Sequence, residues 1–182
     1  MSELVLTAEL NSSDVSPAEF RNAMRQLAGG ISVITVGDGE RRSGLTVTSV
    51  SSLSAEPPIV IFCISRGSSS WPILTTSRTF AVNVLAPEHI DIAERFSGKR
   101  GEKGAERYAD ATWSKLVTGA PVLSDAIAVL DCVVDEFIER HGSAIVVGRV
   151  QSAIIRPEPD IDEPLTYWRG TYGTTRKRSD PV

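Results

Sequence analysis

Apolar residues in this chain alternate with polar ones or cluster in short runs, and only three short pieces repeat at helical spacing, so the pattern predicts a mainly β protein. Ile31–Val36 is a β-branched run, Gly37-Asp38-Gly39-Glu40 reads as a turn, and Ser43–Val50 resumes as a strand, which together make a hairpin. Ile59–Ile64 and Thr79–Leu85 are further strands. Two long β segments, roughly Ala126–Glu139 and Ser143–Ile155, meet at Arg140-His141-Gly142, and Leu165–Tyr172 is the last ordered piece. One helix starts at Ser16-Pro17, with Phe20, Met24, Leu27 and Ala28 along one face, and ends at Gly29-Gly30. A second follows Trp71-Pro72, and a third runs from Pro87 to about Phe96. Six or so strands and three short helices, without regular alternation, argue for a β barrel with helical decoration and against a doubly wound sheet.

The polar stretches bound the domain. Residues 1–15 show no period and are expected to be a flexible N-terminal segment, 16–174 the folded domain, and 175–182, with Arg176-Lys177-Arg178, a flexible tail. Ser97–Ala109 is charged and Gly-rich, the composition of a mobile surface loop and a candidate lid. Pro157–Pro164 is an acidic, Pro-rich connector.

Composition narrows the function. At 182 residues and 41% hydrophobic, the chain supports one good core. A net charge of −4 with scattered basic residues offers no footprint for nucleic acid or an anionic membrane. No apolar run approaches the ~20 residues of a membrane helix, and Glu3 and Glu9 in place of a basic leader argue for a cytoplasmic protein. Cys63 and Cys132 lie in separate apolar strands and are expected to be buried, reduced and inert. No G-x-G-x-x-G follows a strand, there is no P-loop and no G-x-S-x-G, and two histidines without H-E-x-x-H or C-x-x-C make no metal centre.

The chemistry concentrates in Gly44–Pro58, where hydroxyl side chains recur through a β-prone segment before Pro57-Pro58 and a buried strand. Hydroxyls and free backbone N–H groups on a strand edge suit a phosphate or a heteroaromatic ring edge. The competing reading is a solvated sheet face, because Thr is a good strand former.

Gly44–Pro58, Phe62–Ser65, Ser68–Trp71, Phe80–Leu85, Ala93–Gly98 and Pro164–Tyr172, in that order, resemble the short-chain flavin reductase family, the reductase components of two-component flavin-dependent monooxygenases. The resemblance implies an FMN-binding split β-barrel of Greek-key type, a homodimer, and NAD(P)H-dependent reduction of FMN or FAD for a separate monooxygenase. It implies flavin contacts at Thr46, Val47, Thr48 and Ser49, at Cys63, Ile64 and Ser65, at Ser69 and Ser70, and at Phe96, Ser97 and Gly98. Arg169, Gly170 and Tyr172, with Ser143, fall on the family's nicotinamide side.

Other roles compete for several of these residues. Ser70 is also a cap for the Trp71 helix, Phe96 a core residue, and Arg169 an ion-pair partner for an acid such as Glu163. Asn83, mid-strand, reads as a backbone bridge. Relatives commonly carry a His five residues before the glycine of Gly-x-Val; here that position is Ser143, with His141 two residues earlier. Two alternatives to a free reductase stand: a split-barrel protein with tightly bound FMN acting as electron carrier or oxidase, and a non-enzymatic β-rich binding module.

Overall fold

The computed structural model describes residues 15–157 and 163–175, so 1–14 of the expected N-terminal segment 1–15, 176–182 of the expected tail 175–182 and most of the acidic connector lie outside the described residues. In chain order the elements are α1 (Pro17–Met24), β1 (Gly29–Gly30), β2 (Ser32–Val36), β3 (Ser43–Val47), β4 (Ser51–Ala55), β5 (Pro58–Ser65), α2 (Trp71–Ser77), β6 (Thr79–Val84), α3 (Ile90–Ser97), β7 (Trp113–Lys115), β8 (Pro121–Leu123), β9 (Ala128–Arg140), β10 (Ser143–Ile155), β11 (Leu165–Trp168) and β12 (Thr171–Thr174). Antiparallel pairing orders one sheet β3-β2-β6-β9-β10-β5-β4, with a ribbon β1-β11-β12 and a pair β7-β8 beside it. The large sheet curls into a barrel that leaves β3 and β4 as free edges, the split architecture the sequence led us to expect.

β2 explains the architecture. All five of its residues are buried because both faces are covered. Ile34 and Val36 point into the barrel with Phe62, Phe80, Val82 and Val146, whereas Val33 packs outward with Ala81, Leu85 and Phe96 beneath α3. Asn83 bridges backbone, as its position suggested: its Nδ2 donates to Val33 O at 3.0 Å and its Oδ1 accepts from Leu123 N at 2.7 Å. Asp131, also fully buried, accepts the Thr118 N–H at 2.7 Å and its hydroxyl, which ties that loop to β9.

Three expectations are corrected. α1 begins with the capping box Ser16/Glu19 but ends at Met24, short of the expected Gly29-Gly30, and none of its residues is buried, Phe20 and Met24 included. Its C-terminal end instead docks on the β11–β12 turn through Trp168 Nε1 to Gln26 O at 3.2 Å and Arg169 N to Arg25 O at 3.1 Å. The Gly-rich stretch after α3 is fastened, not mobile throughout, because the turn Gly104–Tyr108 buries Tyr108 against Phe96 and Trp113, with ring centroids 5.0 and 4.8 Å away, and the Tyr108 hydroxyl donates to Ser43 O. Cys63 is exposed, since it falls on the outward-facing register of β5; Cys132 is buried as expected.

Gly148 admits the aromatic core. A Cβ there would sit 2.3 Å from Phe80 Cζ, and that ring is locked edge-on against Phe62 at 5.1 Å. Gly148→Ala should therefore cost about 1–3 kcal/mol by overpacking, read as a lower urea midpoint at unchanged slope. Burial, with the Asp131 carboxylate adding to it, pushes the Cys132 thiol up to about 12. The folded chain thus holds this proton more tightly than the unfolded one. The resulting stability is intact below the ordinary thiol value of about 8.5 and is lost as pH climbs through the folded value. Urea midpoints should fall on the alkaline side, less steeply in Cys132→Ala than in the wild type.

Candidate functional site

The site is built on the free edge of β3. Its first residues have their outward carbonyls satisfied: Ser43 O by the Tyr108 hydroxyl, Gly44 O by Arg107 and by Ser70 Oγ at 2.9 Å. Gly44 permits this because a Cβ there would lie 2.6 Å from Phe96 Cε1. Thr46 Oγ1 then donates to Ala93 O at 2.6 Å, anchoring α3 against the strand. Beyond that anchor the cover stops. Thr46, Val47 and Thr48 line a hollow of about 240 Å³, together with Ile31, Ser97, Lys99, Tyr167 and Tyr172. Among the described residues, no side chain bonds the peptide groups of Thr46, Val47 or Thr48. Thr46 and Val47 pair with β2 on one side only, and a strand edge that no side chain covers, beside a hollow, fits the alternating polar edge of a flavin ring.

The opposite wall comes from the last hairpin. Tyr167 pairs with Tyr172 across β11 and β12, their rings edge to face at 5.4 Å. The connecting Arg169-Gly170 turn has φ of 50° and 91°, the left-handed pair of a type I′ hairpin. Lys99 Nζ lies 5.2 Å from the Tyr172 ring and 5.6 Å from Tyr167, a cation over two aromatic faces. Its loop leaves α3 at Gly98, φ 78°, where Ser97 Oγ donates to Glu94 O at 2.7 Å and accepts from Lys99 N at 3.3 Å. The neighbouring Arg100 is engaged by Asp91 and Glu94 at 2.5 and 2.6 Å, which leaves Lys99 as the cation lining the hollow. Partial burial, reinforced by the Glu94 charge, raises the Tyr172 phenol, so it stays protonated and able to donate at neutral pH.

A second hollow of about 270 Å³ adjoins the first and shares Thr48 and Tyr167 with it; Phe20, Arg21, Met24, Arg25, Leu27, Arg169 and Gly170 complete its lining. Each lobe alone is smaller than the ~300–1,000 Å³ usual for a bound small molecule, and the joined pair is within it.

The expected flavin contacts divide into three groups. Thr46, Val47, Thr48 and Ser97 line the first lobe, with Gly98 at its rim. Ser49, Cys63 and Ser65 follow around the barrel end, beside the nicotinamide-side candidate Ser143 and the nearby His141: Ser49 Oγ accepts from Cys63 N at 3.0 Å, and Ser65 pairs with Ser143 across β5 and β10. His141 occupies the turn with φ 51° and Ser143 is exposed. Ile64, Phe96 and Ser70 form the third group, whose side chains turn into the interior. The Ser70 hydroxyl is spent on Gly44 O and faces Ser43 Oγ at 3.0 Å, so it does not cap α2 either; Ser69 precedes it, exposed. Any ligand contact from this group is through backbone. Arg169 reaches Gln26 Oε1 at 2.8 Å, not Glu163, and its guanidinium covers Trp168 at 4.5 Å. Tyr167 and Ile31 were missed. A signal for Tyr167 exists, since two tyrosines flanking Arg-Gly must share a face of a two-residue hairpin; none exists for Ile31.

Comparison with known proteins agrees with this geometry. A sequence profile described as flavin reductase like domain matches residues 24–176. The FMN reductase (NADH) RutF of Bradyrhizobium diazoefficiens is 39% identical over 119 residues, 65% of this chain and 65% of its own, just under two thirds of that relative. The reductase subunit HsaB of a flavin-dependent monooxygenase from Rhodococcus jostii is 32% identical over 173 residues, 94% of this chain and 85% of its own. Among solved structures, the NADH:FAD oxidoreductase SgcE6 of Streptomyces globisporus, in complex with NAD and FAD fragments, superposes with a TM-score of 0.80 at 26% identity, covering 93% of this chain and 100% of that one.

Proposed function

The chain belongs to the flavin reductase-like domain family, and on that premise we propose that it is an NAD(P)H:flavin oxidoreductase that reduces FMN or FAD for a separate flavin-dependent monooxygenase. The observation that carries this reading is the uncovered peptide edge at Thr46–Thr48 facing the Tyr167–Tyr172 wall. A flavin held in that hollow would supply the redox chemistry, as acceptor of a hydride from the reduced nicotinamide with the balancing proton drawn from water. Thr46, Val47, Thr48 and Ser49 present the peptide groups and hydroxyls that match the ring edge. Ser97, Gly98 and Lys99 serve the ribityl and phosphate side, and Arg169, Gly170 and Tyr172 orient the dinucleotide. Ser143 in place of a histidine is compatible with this, because hydride transfer needs orientation and no protein acid. With mostly neutral groups, the site holds flavin loosely enough for it to exchange as a substrate. Residues 16–174 carry the whole activity, and the unbridged Cys63 and Cys132 suit the cytoplasm.

The unit is a homodimer in this reading. Cys63, Ile145 and Ile138 face outward side by side across β5, β10 and β9, next to the Ile61–Val147 pair, and Ile138, Ile145 and Ile61 are only half-buried. An apolar sheet face of this kind calls for a cover.

Steady-state oxidation of NADH or NADPH should be negligible without added flavin and should saturate with FMN or FAD. Flavin at 100 times its dissociation constant should add ~2.7 kcal/mol of stability. Oxidation that proceeds at full rate without free flavin rules out the substrate role. Ile145→Glu should convert the dimer into a folded monomer on a sizing column, and should speed alkylation of Cys63 by uncovering it.

A further inference from the structure

α3 starts from a histidine that neither lobe of the flavin site uses. His89 closes the turn Pro87–His89 and is 3% exposed. Its Nδ1 accepts the Ala86 N–H at 3.1 Å, so that nitrogen carries no proton and the ring hydrogen sits on Nε2. Nε2–H is thereby fixed as a donor, and among the described residues nothing accepts from it. Asp125 Oδ1, from the loop between β8 and β9, approaches to 3.4 Å without closing a hydrogen bond. A buried donor left open is costly, and native folds keep few of them.

That donor faces a hollow of about 290 Å³ walled by Glu88, Asp91, Asp110, Asp125 and Arg95, none of which lines the flavin lobes. Three of its four carboxylates are neutralised: Asp110 by Arg95 at 2.7 Å, Asp91 by Arg100 at 2.5 Å and Glu88 by Arg156 at 3.2 Å. Asp125 has no cation among the described residues, since the imidazole beside it offers an N–H and no charge. One buried donor and one uncompensated carboxylate therefore stand side by side. A water molecule accepts from Nε2–H but leaves the carboxylate uncompensated, and an anion meets four acidic groups. An oxygen acceptor and an ammonium on adjacent carbons satisfy both groups at once, the ammonium through a charge-assisted bond. We propose that this hollow is a binding site for a small amino alcohol, whose hydroxyl oxygen accepts from His89 Nε2–H and whose ammonium pairs with Asp125.

Ethanolamine, titrated calorimetrically into the full chain at fixed ionic strength, is the probe. Binding is expected with a dissociation constant of about 1 mM, a strength open to four non-hydrogen atoms. Ethylammonium lacks the oxygen, ethylene glycol lacks the charge, and glycine carries a carboxylate in place of the hydroxyl; each should bind at least about tenfold more weakly. Asp125→Asn, an isosteric change at a side chain 63% exposed, should weaken ethanolamine about tenfold. The proton on His89 Nε2, followed by NMR, should shift downfield on titration with ethanolamine and hold its position with ethylammonium. Ethanolamine that fails to bind at about ten times the expected constant, or that binds no better than ethylammonium, overturns the proposal. Equal affinity for Asp125→Asn and wild type, or a His89 signal that does not move, overturns it as well.

Discussion

An edge strand must dispose of the peptide groups on its unpaired side, and in this protein that obligation falls on β3. The fold meets it unevenly. Over Ser43 and Gly44 three side chains, Tyr108, Arg107 and Ser70, take the carbonyls; from Thr46 to Thr48 nothing among the described side chains does. The covering depends on aromatic packing, since Tyr108 is held by Phe96 and Trp113, and Phe96 lies against the bare Cα of Gly44. The same contacts that close one half of the edge therefore hold α3 and its loop beside the open half. The binding hollow is the part of the barrel edge left unpaired.

Most of the hydroxyls that mark this region in the sequence serve the scaffold. Thr46 fastens α3, Ser97 caps its end, and Ser70 supports the β3 edge from within. Their hydrogen bonds fix the backbone around the hollow. This division gives the first lobe fixed walls with a single lining cation. In the first lobe the lining cation is Lys99, over two tyrosine rings, with Arg100 beside it paired to Asp91 and Glu94.

Particular elements show what was legible. β2 and β6 are buried on both faces, so their unbroken β-branched runs declare them. The β11–β12 hairpin is declared by Arg-Gly between alternating residues. α1 was legible as a helix with an apolar face but not in what that face meets, because spacing reveals which residues share a face and nothing more. The loop after α3 misled for a related reason: its glycines and charges conceal Tyr108, one aromatic whose burial anchors the segment. Exposed Cys63 and buried Cys132 look alike in sequence, and only strand register separates them.

The amino-acid order alone determined the mainly β class, where most of the strands lie along the chain, and Gly44–Pro58 as the hydroxyl-rich stretch before β5. These follow from local terms: period, β-branching, turn residues and motif spacing. Tertiary structure decided which hydroxyls are consumed internally, which strand edge stays open, and that Tyr167, Tyr172 and Lys99 converge on Thr48 from more than fifty residues away along the chain. Such convergence depends on how strands pair and curl over long loops, and no local pattern encodes that distance.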